Sequence, residues 1–201
     1  MSVENLNTGD LILCHGENKD GIINNTIEYF THSIYEHVGL IIKDPWWINL
    51  KGIYVLQSTK IPKNYKDVIN KKLSGVTLNK LEDFISERDL LSVRSIQNVN
   101  WTCDQRNKFK NIFYEVHSKP YNSNLFDLCQ IGFSSYFRCN KKKIHLINKD
   151  NKFICSSLIS YFYIKLGWCD TNINWSTQTP EDLSKIKFNN PYKFSKMWRI
   201  K

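Results

Sequence analysis

Phe153-Ile154-Cys155-Ser156-Ser157-Leu158-Ile159-Ser160-Tyr161-Phe162 reads as a cysteine opening an apolar helix, and Gly167 is an apt left-handed stop for it. A thiol at a helix N-terminus meets orphan N–H groups and the positive end of the dipole, both of which favour thiolate. The stretch that answers it lies far upstream. Glu36-His37-Val38-Gly39-Leu40-Ile41-Ile42 reads as a buried strand entered by a histidine. A histidine held there can take a thiol proton on one ring nitrogen. Only folding can join Cys155 and His37, so the pair requires a fold that lays this strand beside that helix N-terminus.

Working outward, Asn7 to Asp10 is a turn and Leu11 to Cys14 a short strand. Ile22 to Phe30 has helical apolar spacing. Ile53 to Ser58 is a strand, broken by Ile61-Pro62, and Val76 to Leu78 another. Leu81 to Phe84 is a helical turn and Leu90 to Ile96 a strand. Asp104 to His117 is an amphipathic helix capped by Thr102 or Asp104. Leu125 to Phe137 is read as helical, with 140–150 a polar connector. Thr179-Pro180 opens a short helix with proline at its first position. Helices at both ends of a small, mostly antiparallel set of strands give an α+β class, expected as a single domain over 1–201.

The chain has 201 residues, 41% hydrophobic and 13% aromatic, which is a globular composition and outside the disordered regime. No apolar run reaches the roughly 18 residues of a membrane span, and Met1-Ser2-Val3-Glu4-Asn5 is not a secretory leader. A soluble, cytoplasmic protein with reduced thiols is therefore expected. The cysteines at 14, 103, 129, 139, 155 and 169 form no C-x-x-C pair and share no zinc rhythm with histidine, so neither metal nor cofactor is expected. The net charge of +9 is spread along the chain apart from Lys141-Lys142-Lys143 and the 63–72 segment. That balance attracts anionic surfaces weakly. Without a zinc finger, an RNA-binding aromatic signature or a long basic helix, no dedicated nucleic-acid site is expected.

A thiol–imidazole pair needs a third group that accepts from the second ring nitrogen. Gln57, at the end of Val55-Leu56-Gln57-Ser58, can do so through its amide oxygen, although a neutral amide supports imidazolium less than a carboxylate does. Each residue also has a plainer reading: Cys155 as core filler, Gln57 as a strand-end side chain facing solvent. His15, His32, His117 and His145 lie in polar or loop contexts and read as surface residues, with His32 close enough in sequence to be a rival base. Asp10, Tyr35, Tyr121 and Ser156 are candidates for lining a cleft. For Asp10 a turn role, and for Tyr35 plain packing, is the simpler account. No G-x-S-x-G elbow supports a serine hydrolase.

Taken in order, Gly9-Asp10-Leu11-Ile12, Tyr35-Glu36-His37-Val38-Gly39-Leu40, Tyr54-Val55-Leu56-Gln57-Ser58, Val93-Arg94, Lys119-Pro120-Tyr121-Asn122, Cys155-Ser156-Ser157 and Thr179-Pro180 resemble the circularly permuted NlpC-type papain-like thiol hydrolases, in the YiiX-like branch and its poxviral relatives. The resemblance spans most of the chain. It implies a permuted papain-like fold, Cys155 as nucleophile, His37 as base and position 57 as the orienting group. It also implies a peptide or lipid-like acyl substrate. Two departures stand out: Gln57 where these relatives typically carry glutamate, and Tyr121-Asn122 where tyrosine–aspartate is common. The stretch from Ser123 to Asp150 is longer than in the bacterial members. The leading expectation is a cysteine hydrolase or acyltransferase with a Cys155–His37–Gln57 constellation. The alternative is a catalytically weak or inactive scaffold used as a binding or host-interaction module.

Overall fold

The computed structural model describes residues 2–16, 33–60, 64–123 and 152–200. Strands β1 (Leu11–His15), β2 (Tyr35–Lys43), β3 (Ile53–Thr59), β4 (Gly75–Lys80), β5 (Leu91–Arg94) and β8 (Trp198–Arg199) form one sheet in the order β4-β3-β2-β1-β5-β8. Every pairing in it is antiparallel. A second, two-stranded sheet joins β6 (Ile96–Gln97) to β7 (Lys193–Phe194). The described helices are α1 (Leu81–Ser86), α2 (Cys103–Val116), α3 (Cys155–Lys165) and α4 (Pro180–Ser184). The fold is thus α+β with a mostly antiparallel sheet. The expected helices at 22–30 and 125–137, the connector at 140–150, the Ile61-Pro62 break, His32 and His145 lie outside the described residues.

The run Leu11-Ile12-Leu13-Cys14 is apolar on both sides of the pleat because both faces of β1 are covered. Leu11, Leu13, Val38, Leu40, Leu56 and Leu78 join Phe109, Phe113, Leu158 and Phe162 of α2 and α3 in one core. Ile12, Cys14, Ile41 and Val55 join Leu6, Leu81 and Phe84 in the other. The strands approach closely at Gly39, where an added Cβ would lie 2.4 Å from Val55 Cγ1. This explains the glycine in the middle of an otherwise apolar strand.

The helix ends follow their local chemistry. Thr102 Oγ1 accepts from the Gln105 N–H at 3.2 Å and starts α2. Gly167, with φ of 79°, closes α3. The Gly167 and Trp168 N–H groups return to the Ile164 and Tyr163 carbonyls, both at 2.9 Å, in a Schellman arrangement. Thr179 and Asp182 cap α4 reciprocally, with Pro180 at its start.

Two expectations change. Leu90 to Ile96 is not one strand: β5 pairs with β1, whereas Ile96 leaves that sheet for β7. The Ile96 N–H bonds to Asp10 Oδ1 at 3.0 Å, which turns the chain out of the main ladder. His117 is not a surface residue, its side chain being only 9% exposed. Its Nε2 donates to Asp67 Oδ2 at 2.9 Å. The buried Asp67 carboxylate also takes the N–H groups of Ile69, Asn70 and Leu78. This knot straps the segment before β4 to the end of α2, a contact between distant residues that no local pattern announces.

Asp10 is fully buried and accepts from the Asn7 N–H at 2.9 Å as well as from Ile96. Burial pushes its carboxyl up to about 6, outweighing those two N–H groups, Ser95 and the Lys43 charge, which pull it down. An unfolded aspartate titrates near about 3.9, so the folded protein holds this proton more tightly. The stability it contributes is complete below that value and is lost as pH rises through about 6. The urea midpoint of the native chain should therefore fall between pH 4 and pH 6 relative to that of Asp10→Asn. Parallel midpoint profiles for the two proteins would contradict this account.

Candidate active site

The β2–β3 ladder runs from Lys43↔Ile53 to Leu40↔Leu56 and stops there, although β2 extends back to Tyr35 and β3 on to Thr59. Against the parted strand ends lies the segment leading into α3. Ser58 Oγ donates to the Phe153 carbonyl at 2.7 Å, and Phe153 forms a parallel bridge with Tyr121. Ser157 Oγ accepts from the Ile154 N–H at 3.0 Å and secures the first turn. Cys155 is the first residue of the helix and is 8% exposed. Its sulfur faces three backbone N–H groups: those of Val38, Ser156 and Cys155 itself. Val38 directly follows His37, so the helix N-terminus and the histidine strand meet at the thiol.

The β1–β2 register slips by one residue between Cys14 and His15, leaving Glu36 as a bulge before His37. The His37 side chain turns toward Gln57 across the parted strands. His37 Nε2 lies 2.7 Å from Gln57 Oε1. Gln57 has no exposed surface, and its amide nitrogen donates to Asn79 Oδ1 at 2.9 Å and to Tyr65 Oη at 3.3 Å. Asn79 Oδ1 also accepts from Thr77 Oγ1 at 2.8 Å. With both amide hydrogens committed, the Gln57 oxygen must face the ring, and an oxygen that only accepts requires His37 Nε2 to carry the proton. Nδ1 of a neutral ring is then the acceptor. The Phe84 ring packs 6.2 Å from the imidazole, centroid to centroid.

Burial pushes the Cys155 thiol up to about 11, more than the three N–H groups pull it down, and the Glu36 charge adds to the rise. The dipole argument from sequence pointed the other way. Desolvation wins because the residue is only 8% exposed. The resting group is a neutral thiol.

Tyr121 is half-buried, and its electrostatic neighbour is Cys155. Burial holds its phenol well above the usual range, so it stays a hydroxyl donor, and that hydroxyl has no hydrogen-bond partner among the described residues. The other candidates are engaged in structure. Ser156 is fully buried and donates to the Gln178 carbonyl at 2.6 Å. Asp10 sits in its turn, as described above. Tyr35 is buried, its hydroxyl donating to Met197 Sδ at 3.2 Å and its ring edge-on to His15. His15 Nε2 lies 2.8 Å from Ser92 Oγ. Thr77, Asn79 and Tyr65 were not read from the sequence. The available signal was the two-residue spacing of Thr77 and Asn79, which puts both on the sheet face of Gln57. Among the described residues no three His, Cys, Asp or Glu side chains gather as a metal site.

In nitrogen-detected NMR at a pH where the ring is neutral, His37 should show Nε2–H as its dominant tautomer. Gln57→Leu should release it to a mixture of the two tautomers. A ring already mixed in the native protein, or unchanged by the substitution, would refute the assigned orientation.

No protein-family model matches this chain, and no curated protein matches its sequence.

Proposed function

We propose that the chain is a cysteine hydrolase or acyltransferase on a permuted papain-like, NlpC-type fold. Its substrate class is an amide, ester or thioester of a peptide or lipid-like acyl group. One observation carries the reading: the His37–Gln57 bond orients an imidazole on the strand whose next amide faces the Cys155 sulfur.

The steps follow from these groups. As the sulfur attacks the carbonyl carbon, His37 Nδ1 takes the thiol proton and a C–S bond forms. The carbonyl π electrons move onto oxygen, where the Cys155 N–H and the Tyr121 hydroxyl can donate to the oxyanion. Collapse breaks the bond to the leaving nitrogen, oxygen or sulfur, which receives the proton from His37. Water or another acceptor then attacks the thioester, passing its proton to His37 and releasing Cys155 as thiol. Gln57 holds the ring through both halves without changing charge. A neutral thiol at rest suits this sequence, because proton removal is coupled to attack.

The same neutral Gln57 and shielded thiol favour the second reading, a papain-like scaffold that binds a partner with little or no turnover. The Cys155→Ala protein separates the two, since a binding module keeps its biological effect without the sulfur.

Chromogenic thioesters of a fatty acid and of a blocked amino acid test the chemistry. At least one should leave its acyl mass on the tryptic peptide carrying Cys155, and Cys155→Ala and His37→Ala should abolish turnover. Tyr121→Phe should slow acylation about 100-fold, the loss of one oxyanion donor. The exposed Cys103 serves as the control thiol, alkylated equally by iodoacetamide in every variant. Acyl groups on Cys103, or spread over all cysteines, would overturn the enzyme reading.

A further inference from the structure

Arg88 lies between α1 and β5, is 8% exposed, and packs on Phe84, the residue whose other ring neighbour is His37. Its Nη1 donates to the Phe84 carbonyl at 2.8 Å and to Tyr65 Oη at 3.2 Å, and its Cζ sits 3.6 Å from the centre of the Phe84 ring. Its charge also acts on the Cys14 thiol, pulling it down against burial. None of its partners among the described residues is a carboxylate. A buried cation without a counter-ion is costly, and the ring face and neutral dipoles offset only part of that cost.

We propose that Arg88 is a positioning residue for His37, a buried guanidinium that holds the imidazole uncharged and, through Tyr65 and Gln57, fixes its Nε2–H tautomer. Tyr65 Oη accepts from both Arg88 and Gln57, so the guanidinium sets the oxygen against which the Gln57 amide is aligned. Phe84 lies against both Arg88 and His37, so an apolar ring joins the guanidinium to the imidazole. A carboxylate at position 57 would cancel the Arg88 field, whereas the amide leaves it acting on the ring. Neutral Gln57 and buried Arg88 are therefore one device. Other titratable groups near this part of the sheet, among the described residues, include Cys14 on β1, Glu36 on β2, Tyr65, and Cys155 on α3. Burial pushes the Cys14 and Cys155 thiols to about 12 and about 11, so neither carries charge near neutrality. Glu36 is exposed and is the same in every variant below.

That His37 serves as a base rests on the proposed thiol chemistry; its charge state does not. The test is an NMR titration of the His37 Cε1–H in the native chain, Arg88→Met and Arg88→Lys, with no substrate present. Arg88→Met should raise the midpoint by about 0.5 to 1 pH unit, the effect of removing one cation at this range. Arg88→Lys, which keeps the charge, should stay near the native midpoint. If Arg88→Met does not fold, Arg88→Gln supplies the neutral variant. An unchanged or lowered midpoint in the neutral variant, or equal shifts in the neutral and lysine proteins, would overturn the proposal. Absence of acyl transfer in the native chain would remove the enzyme reading and leave this titration result standing.

Discussion

The parting of β2 from β3 beyond Leu40↔Leu56 is the constraint on which the site depends. A continuous ladder would commit the Val38 N–H to the neighbouring strand and leave no place for the start of α3. Because the ladder stops, that N–H is available to the Cys155 sulfur, and Ser58 can hold the Phe153 carbonyl through its side chain. The gap is spanned on the other side by the His37–Gln57 hydrogen bond. One irregularity thus receives a helix N-terminus, exposes a strand amide to it, and sets a histidine against its orienting partner. The Glu36 bulge serves the same end, adding one residue where β2 must turn its side chains out of simple alternation.

The electrostatics are those of a neutral site. Burial keeps the thiol protonated, a primary amide stands behind the ring, and a buried guanidinium, Arg88, packs on the Phe84 ring beside it. In the proposed reaction, the three N–H groups around the sulfur would do little for a thiol and would stabilise the negative charge that develops as it attacks. Interactions that strengthen only along the reaction raise its rate without tightening the resting state. In the proposed chemistry the imidazole acts as a base, and the two hydrogens of the Gln57 amide, fixed by Asn79 and Tyr65, turn its oxygen toward Nε2 and assign the proton to that nitrogen.

Residues with strong local signals were legible in the sequence. Gly167, Thr102 and the Thr179-Pro180 pair mark helix ends through chemistry confined to a few neighbours. Cys155, His37 and Gln57 could be named because each stands at the boundary of an apolar run. The direction of the Cys155 shift was not legible, since it depends on how deeply folding buries the helix N-terminus. Arg88, Tyr65 and Asn79 were missed for a related reason: their network joins four separate segments, and each residue alone looks like an ordinary polar side chain. His117 was misread because its partner Asp67 lies far from it in sequence. Asp10 and Ser156 carry the polar character expected of cleft residues, yet backbone groups absorb it.

The central claim is that the His37 ring removes the Cys155 proton. Its most direct measure is the ratio of single-turnover acylation rates in the native chain and in His37→Ala, followed as a function of pH. The account predicts a ratio of about 100 or more near neutral pH, the usual reach of a positioned base. That ratio should shrink steadily as pH climbs toward the thiol's own value of about 11, where sulfur ionises without help. A ratio near one at neutral pH, or one that stays constant across the range, would contradict it.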